Sequence, residues 1–147
     1  LLGVSAGLQA IIVGVGDLGR ALVRSAMFEK RGIDIIALFD VDSDLIGKEF
    51  GGVKVYDMRE LESFCTNHVV DVAVLTLPKD KAEEEADRLL FLGVEGFWNF
   101  TGKELSHLSN CAVVENVHLG DSLMSLNYEL CRRKSEKSKK TDKGVKE

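Results

Sequence analysis

The chain has 147 residues, 45% hydrophobic and 29% charged, with a formal net charge of −5; this is the length and composition of one globular domain with a real core. No apolar run approaches the ~18 residues of a membrane span, and Leu1–Ala10 lacks the basic start and cleavage pattern of a secretory signal. Of the 19 Lys/Arg and 24 Asp/Glu, residues 132–147 carry eight and three, which leaves 11 against 21 in residues 1–131, and so acidic a body repels the phosphates of a nucleic acid.

Taken in order, Gln9–Gly14 reads as a strand. Ile11, Ile12 and Val13 are consecutive rather than alternating, as expected when both faces of a parallel strand are buried. The strand breaks into Gly14-Val15-Gly16-Asp17-Leu18-Gly19, and the spacing predicts a helix from Asp17 to about Arg31, with Leu18, Leu22 and Ser25 on one face and Gly32 at its C-cap. A strand, a GxGxxG turn and a helix start form a seat for a pyrophosphate. The first glycine permits the turn, the second admits the phosphates, the third brings helix and strand together, and the helix N-terminus supplies free N–H groups. Taken alone, this motif is common to many glycine-rich turns.

Ile33–Phe39 reads as a second buried strand, followed by Asp40-Val41-Asp42. Asp40 lies 21 residues beyond Gly19, where a dinucleotide fold places an acid that accepts hydrogen bonds from the adenosine ribose. A carboxylate there repels a 2′-phosphate, which favours NAD over NADP; the alternative is a solvated loop acid. Asp42–Gly52 reads as a turn-rich connection and Val53–Tyr56 as a short edge-like strand. Asp57 then caps a helix that packs through Met58, Leu61, Phe64 and Cys65.

Asp71–Leu77 is the third buried strand, stopping at Thr76-Leu77-Pro78. A helix over Asp80–Leu92 follows, then strands at Val94–Trp98, before Asn99-Phe100, and at Ala112–Asn116. This alternation predicts an α/β fold: a Rossmann-like, doubly wound parallel sheet whose ligands bind beyond the carboxyl ends of the strands. Those ends are Gly14–Gly19, Asp40-Val41, Thr76-Leu77-Pro78 and Asn99-Phe100, and together they imply one crevice. The last element is a helix from Leu119 to about Arg133, with Leu119, Leu123, Leu126 and Leu130 as an apolar seam that suits either its own sheet or a partner subunit. Residues 134–147 are lysine-rich, have no apolar face, and are expected to be a disordered tail. Cys65, Cys111 and Cys131 form no CxxC motif, and His68, His107 and His118 lack ligand spacing. Reduced intracellular thiols and no metal site are therefore expected.

GVGDLGRAL, ALFDVDSDLIGKEFGGVKVY, VDVAVLTLP, GVEGFWNFTG and VVENVHL, in that order, resemble the nucleotide-binding domain of the Rex family of bacterial redox-sensing repressors, from about Ala10 to Leu130. Members share the general fold of CoA-binding domains. The resemblance implies an NAD(H)-binding, non-catalytic, cytoplasmic domain in which Gly14, Val15, Gly16, Asp17, Leu18 and Gly19 hold the pyrophosphate. It further implies that Asp40 binds the adenosine ribose, that Val41 lines the adenine site, and that Thr76, Leu77, Pro78, Asn99 and Phe100 face the nicotinamide half. The domains expected are 1–118 for the nucleotide, 119–133 for a dimer helix exchanged between subunits, and 134–147 for the tail. NADH closes the dimer in this family and releases DNA held by an N-terminal winged helix. About nine residues precede the first strand here, so no operator binding is expected of this chain alone. His118 stands where the family usually has an aspartate and Ser25 where it commonly has a tyrosine, which leaves the nucleotide seat intact and touches the switch. The competing readings are a stand-alone CoA-binding protein, opposed by Asp40 because CoA carries a 3′-phosphate on its ribose, and the NAD domain of a dehydrogenase, for which residues beyond Gly102 leave no room.

Overall fold

The computed structural model describes residues 7–145, and the chain divides into two units, Leu1–Val117 and His118–Glu147. The first unit runs β1 (Leu8–Val13), α1 (Asp17–Arg24), α2 (Met27–Lys30), β2 (Ile33–Asp40), β3 (Glu49–Phe50), β4 (Val53–Asp57), a 3-10 turn (Met58–Glu60), α3 (Leu61–Asn67), β5 (Val72–Leu75), α4 (Lys79–Phe91), β6 (Gly96–Asn99), a second 3-10 turn (Ser106–Leu108) and β7 (Val113–Asn116). The second unit is α5 (Leu119–Val145). Among the described residues no helix is long and apolar enough to cross a membrane.

The strands form one sheet in the order β3-β4-β2-β1-β5-β6-β7. Every pairing is parallel except β3 with β4. Ile11 and Val13 of β1 enter one core, with Leu61 and Phe64 of α3 and Ala86 and Leu89 of α4. Ile12 enters the opposite core with Leu22 and Val23 of α1 and Phe28 of α2. That is why β1 is apolar without alternation: each side chain meets a helix layer, whichever way it points. The chain leaves β1 for β2 on one side and returns to β5 on the other, so the order reverses at the carboxyl end of β1.

Three expectations are corrected. The helix over 17–31 is two helices. Ser25 is extended (φ −79°, ψ 136°), and its Oγ accepts a 3.3 Å hydrogen bond from Met27 N–H, a local competitor to helix continuation of the kind serine offers. The strand Val53–Tyr56 is not an edge: Glu49–Phe50 pairs outside it as the second arm of a hairpin, and two residues are too few to show a period in the sequence. Finally, α5 does not stop near Arg133 but continues to Val145, so the expected disordered tail is helical as far as it is described; residues 146–147 lie outside. Lys, Glu and Arg are good helix formers even without an apolar face. Arg132 reinforces the helix with 2.9 Å and 2.8 Å bonds to Glu129 and Glu136.

Candidate functional site

The site begins with the last residues of β1 and β2. Phe39 is fully buried, stacked against Tyr56 at 5.6 Å and edge-on to Phe64 at 5.4 Å. Burial of such a ring contributes about 1.5–3 kcal/mol, and it anchors the residue that follows. The Phe39 carbonyl accepts a 2.8 Å bond from Gly14 N–H, so the two strand ends are tied where the glycine loop leaves the sheet. Asp40 follows at the sheet's rim. Its Oδ2 accepts 2.7 Å from Val15 N–H and its Oδ1 accepts 2.9 Å from Asp42 N–H. One carboxylate thus holds both the glycine loop and the loop after β2, and each oxygen keeps lone-pair capacity for a further donor.

The three glycines of the loop have three different reasons to be glycine. Gly14 has φ +103°, and a Cβ there would lie 2.7 Å from the backbone of Thr76 and Leu77. At Gly19 a Cβ would overlap the Gly14 carbonyl oxygen and stand 3.1 Å from Thr76 Oγ1. At Gly16 nothing lies within 4 Å: this position faces open space at the N-terminus of α1, and no side chain caps that terminus. The seat has the form an anion requires, with unclaimed N–H groups and a backbone stripped of its Cβ. Asp17 in the first turn is exposed, and Arg20 holds its carboxylate at 2.8 Å.

Thr76 sits on the loop after β5. Its hydroxyl donates 2.6 Å to the Gly14 carbonyl and 3.3 Å to that of Val13, so it braces the glycine turn. Asn99, at the end of β6, is 2% exposed. Its Nδ2 donates to the Lys103 carbonyl at 2.8 Å and to Asn116 Oδ1 at 2.9 Å, and its Oδ1 accepts from Thr101 N–H and Oγ1. That side chain is spent on the loop that follows it. Phe100 packs edge-on to Trp98 at 4.6 Å, in the core beneath α1 and α2, whereas Leu77 packs in the opposite core.

A cleft of about 320 Å³ opens beside the glycine loop, lined by Gly14, Asp40, Val41, Leu77 and Pro78 together with Met58, Lys81, Glu84 and Glu85. Five residues expected of the site therefore converge on one hollow. Val15, Gly16, Asp17, Leu18, Gly19 and Thr76 do not line this hollow, and neither do Asn99 and Phe100, on β6 and beyond it. Sequence reasoning missed Met58 and the three α4 residues. Lys81, Glu84 and Glu85 share one helical face by their spacing, a signal masked by the acidic run in which two of them sit.

Beside the cleft, at the register partner of Asp40 on β4, the Arg59 guanidinium bonded to Asp57 holds that carboxyl below its usual range. The contact supports folding above the ordinary carboxylate pKa and is lost as pH falls through the lowered value. Burial pushes the Cys65 thiol up, with Arg88 opposing. The thiol of a reactive cysteine is shifted the other way.

The family model described as CoA binding domain matches residues 8–102. The redox-sensing transcriptional repressor Rex of Caldicellulosiruptor saccharolyticus is 42% identical over 143 residues, covering 97% of this chain and 65% of the relative. Two solved structures of RSP, a Rex-family repressor, are 35% identical to it. One, in complex with β-NADH, superposes with a TM-score of 0.81 over 93% of this chain and 66% of RSP. The other, with β-NAD⁺ and operator DNA, gives 0.82 over 95% and 64%. The chain thus spans just under two thirds of the length of these relatives.

Proposed function

We propose that this chain, which belongs to the CoA-binding domain family and matches the C-terminal domain of the Rex repressors, is a non-catalytic NAD(H)-binding redox-sensor domain. The observation that carries this reading is Asp40, whose carboxylate lies 2.7 Å from the glycine loop at the mouth of the cleft. An acid so placed receives ribose hydroxyls and repels a phosphate on the same ribose. The complexes of RSP with β-NADH and β-NAD⁺ support the choice of cofactor.

In this reading the loop Gly14, Val15, Gly16, Asp17, Leu18 and Gly19 holds the pyrophosphate at the N-terminus of α1, with Gly14 and Val15 shaping the loop, since their N–H groups are given to Phe39 and Asp40, and the residues from Gly16 on offering backbone N–H groups. Asp40 takes the adenosine ribose and Val41 covers the adenine. Thr76-Leu77-Pro78 and Asn99-Phe100 wall the nicotinamide half, with Thr76 and Asn99 contributing as braces of the backbone rather than as side-chain ligands. The nucleotide module is assigned to residues 1–118. The seam of Leu119, Leu123, Leu126 and Leu130 on α5, widened by Met124 and Tyr128, is assigned to a homodimer, because an apolar stripe along an otherwise polar helix suits a partner helix or groove. Operator binding is not assigned to these residues, given 21 acids against 11 basic residues in 1–131. The cytoplasm, where the cofactor pool and the DNA both lie, is the expected location.

A second reading, CoA binding, draws on the family-model match. CoA carries a 3′-phosphate on its ribose, which Asp40 disfavours. Calorimetric titration with NADH, NAD⁺, NADPH and CoA separates the two. The sensor reading expects a nicotinamide dinucleotide without the 2′-phosphate to bind tightest, and preferential CoA binding overturns it.

A further inference from the structure

We propose that Glu83, Asp87 and His107 form a binding site for a divalent transition ion of the zinc class, separate from the nucleotide cleft, which none of them lines. Glu83 and Asp87 stand at i and i+4 on α4, so their carboxylates share one face of that helix. His107 comes to this face from the 3-10 turn Ser106–Leu108. The turn is pinned on both sides of the imidazole: Leu105 is fully buried and Leu108 is 2% exposed, both in the core that α4 enters through Ala86 and Leu89. A histidine between two such anchors is presented at a fixed place. Its Nε2 lies 2.9 Å from Asp87 Oδ1, and one donor atom from each of the three residues falls within 4.8 Å of the other two. Among the described residues no other three side chains of His, Cys, Asp or Glu are brought so close. All three are exposed, so an ion reaches them from solvent.

Two ligands that are each about 2.0–2.2 Å from one ion stand roughly 3 Å apart, so His107 and Asp87 need little movement. The ion displaces the proton now held between them, and Glu83 closes the set by rotation about its own bonds. Lys103 Nζ is 3.6 Å from Glu83 Oε2, beyond hydrogen-bond reach, and its flexible stem lets it swing away. One imidazole with two carboxylates suits zinc, cobalt or nickel, whereas magnesium and calcium take oxygen ligands alone; water completes the coordination. The bound ion ties α4 to the connection between β6 and β7. The spacing of the three histidines conceals this set, because the partners of His107 come from α4, with Asp87 20 positions earlier.

The test is calorimetric titration of the tag-free full chain with Zn²⁺, paired with the absorption spectrum of its Co²⁺ complex. The proteins are wild type, His107→Ala, Asp87→Asn and Lys103→Ala, with circular dichroism to confirm folding. The wild type is expected to bind one Zn²⁺ per chain and to melt at a higher temperature with the ion present. His107→Ala and Asp87→Asn are each expected to weaken Zn²⁺ by about tenfold or more. Lys103→Ala is expected to tighten it, because a competing cation leaves Glu83, an effect that a merely structural role for the cluster does not produce. Absence of saturable Zn²⁺ binding in the wild type, or an affinity unchanged in His107→Ala, overturns the site. So does an intense thiolate-to-cobalt absorption, which places the ion on a cysteine instead.

Discussion

Val15 N–H donates to Asp40 Oδ2 at 2.7 Å, across 25 positions of sequence. The carboxylate that is placed to meet the ribose is the same group that holds the phosphate loop in shape. Its removal therefore has two consequences at once. Asp40→Ala is expected to weaken NADH binding about tenfold or more (~1.4 kcal/mol) and to narrow the preference over NADPH. Calorimetry with the two nucleotides checks this; a preference that survives unchanged would leave Asp40 as a loop clamp alone.

The glycines separate stability from binding. Gly19→Ala forces a methyl into the Gly14 carbonyl and is expected to cost about 1–3 kcal/mol of stability, visible as a lowered denaturant midpoint. Gly16→Ala meets nothing within 4 Å. It is expected to stay within about 1 kcal/mol of the parent, the lost flexibility of the unfolded chain offsetting a poorer helix cap. Its methyl nevertheless fills the phosphate seat, so NADH affinity is expected to fall while the fold is kept.

Asn99 is where the expectation of a nicotinamide contact meets a buried network. Asn99→Ala leaves the Lys103 carbonyl, Asn116 Oδ1 and the Thr101 donors without their partner. A loss of about 1–3 kcal/mol is expected, measured by chemical denaturation, with nucleotide affinity changing less than stability. A full loss of NADH binding in a variant of normal stability would restore a direct ligand role.

The seam on α5 predicts an assembly. Leu123→Asp together with Leu126→Asp is expected to raise the dimer dissociation constant by more than about tenfold, read by sedimentation at micromolar concentration. A wild-type chain that remains monomeric with NADH present contradicts the proposed interface.

The parts of this molecule legible in the sequence are those whose physics is local or doubly enforced. Ile11–Val13 and Ile36–Phe39 must be apolar on both faces to sit between two helix layers, and such runs are visible without coordinates. Asp40 is legible because a strand of fixed rise delivers it to a fixed end of the sheet. The break at Ser25 was not, since one hydroxyl outbidding a helical carbonyl leaves no periodic trace. The helicity of residues 134–145 was hidden for the opposite reason: it rests on propensity and ion pairs rather than on an apolar face. Met58 and Glu85 come to the cleft from a turn and a helix far apart in sequence, and Asn99 is committed by partners at Lys103 and Asn116 that only the folded loop brings together.

The most direct measurement is amide chemical-shift mapping as NADH is titrated into the labelled chain. The crevice described here predicts the largest perturbations at Gly14–Gly19, Asp40, Val41 and Thr76–Leu77, at the carboxyl ends of β1, β2 and β5. Perturbations confined to the opposite ends of the strands, around Leu8, Val70 and Gly96, or none at saturating NADH, would contradict it.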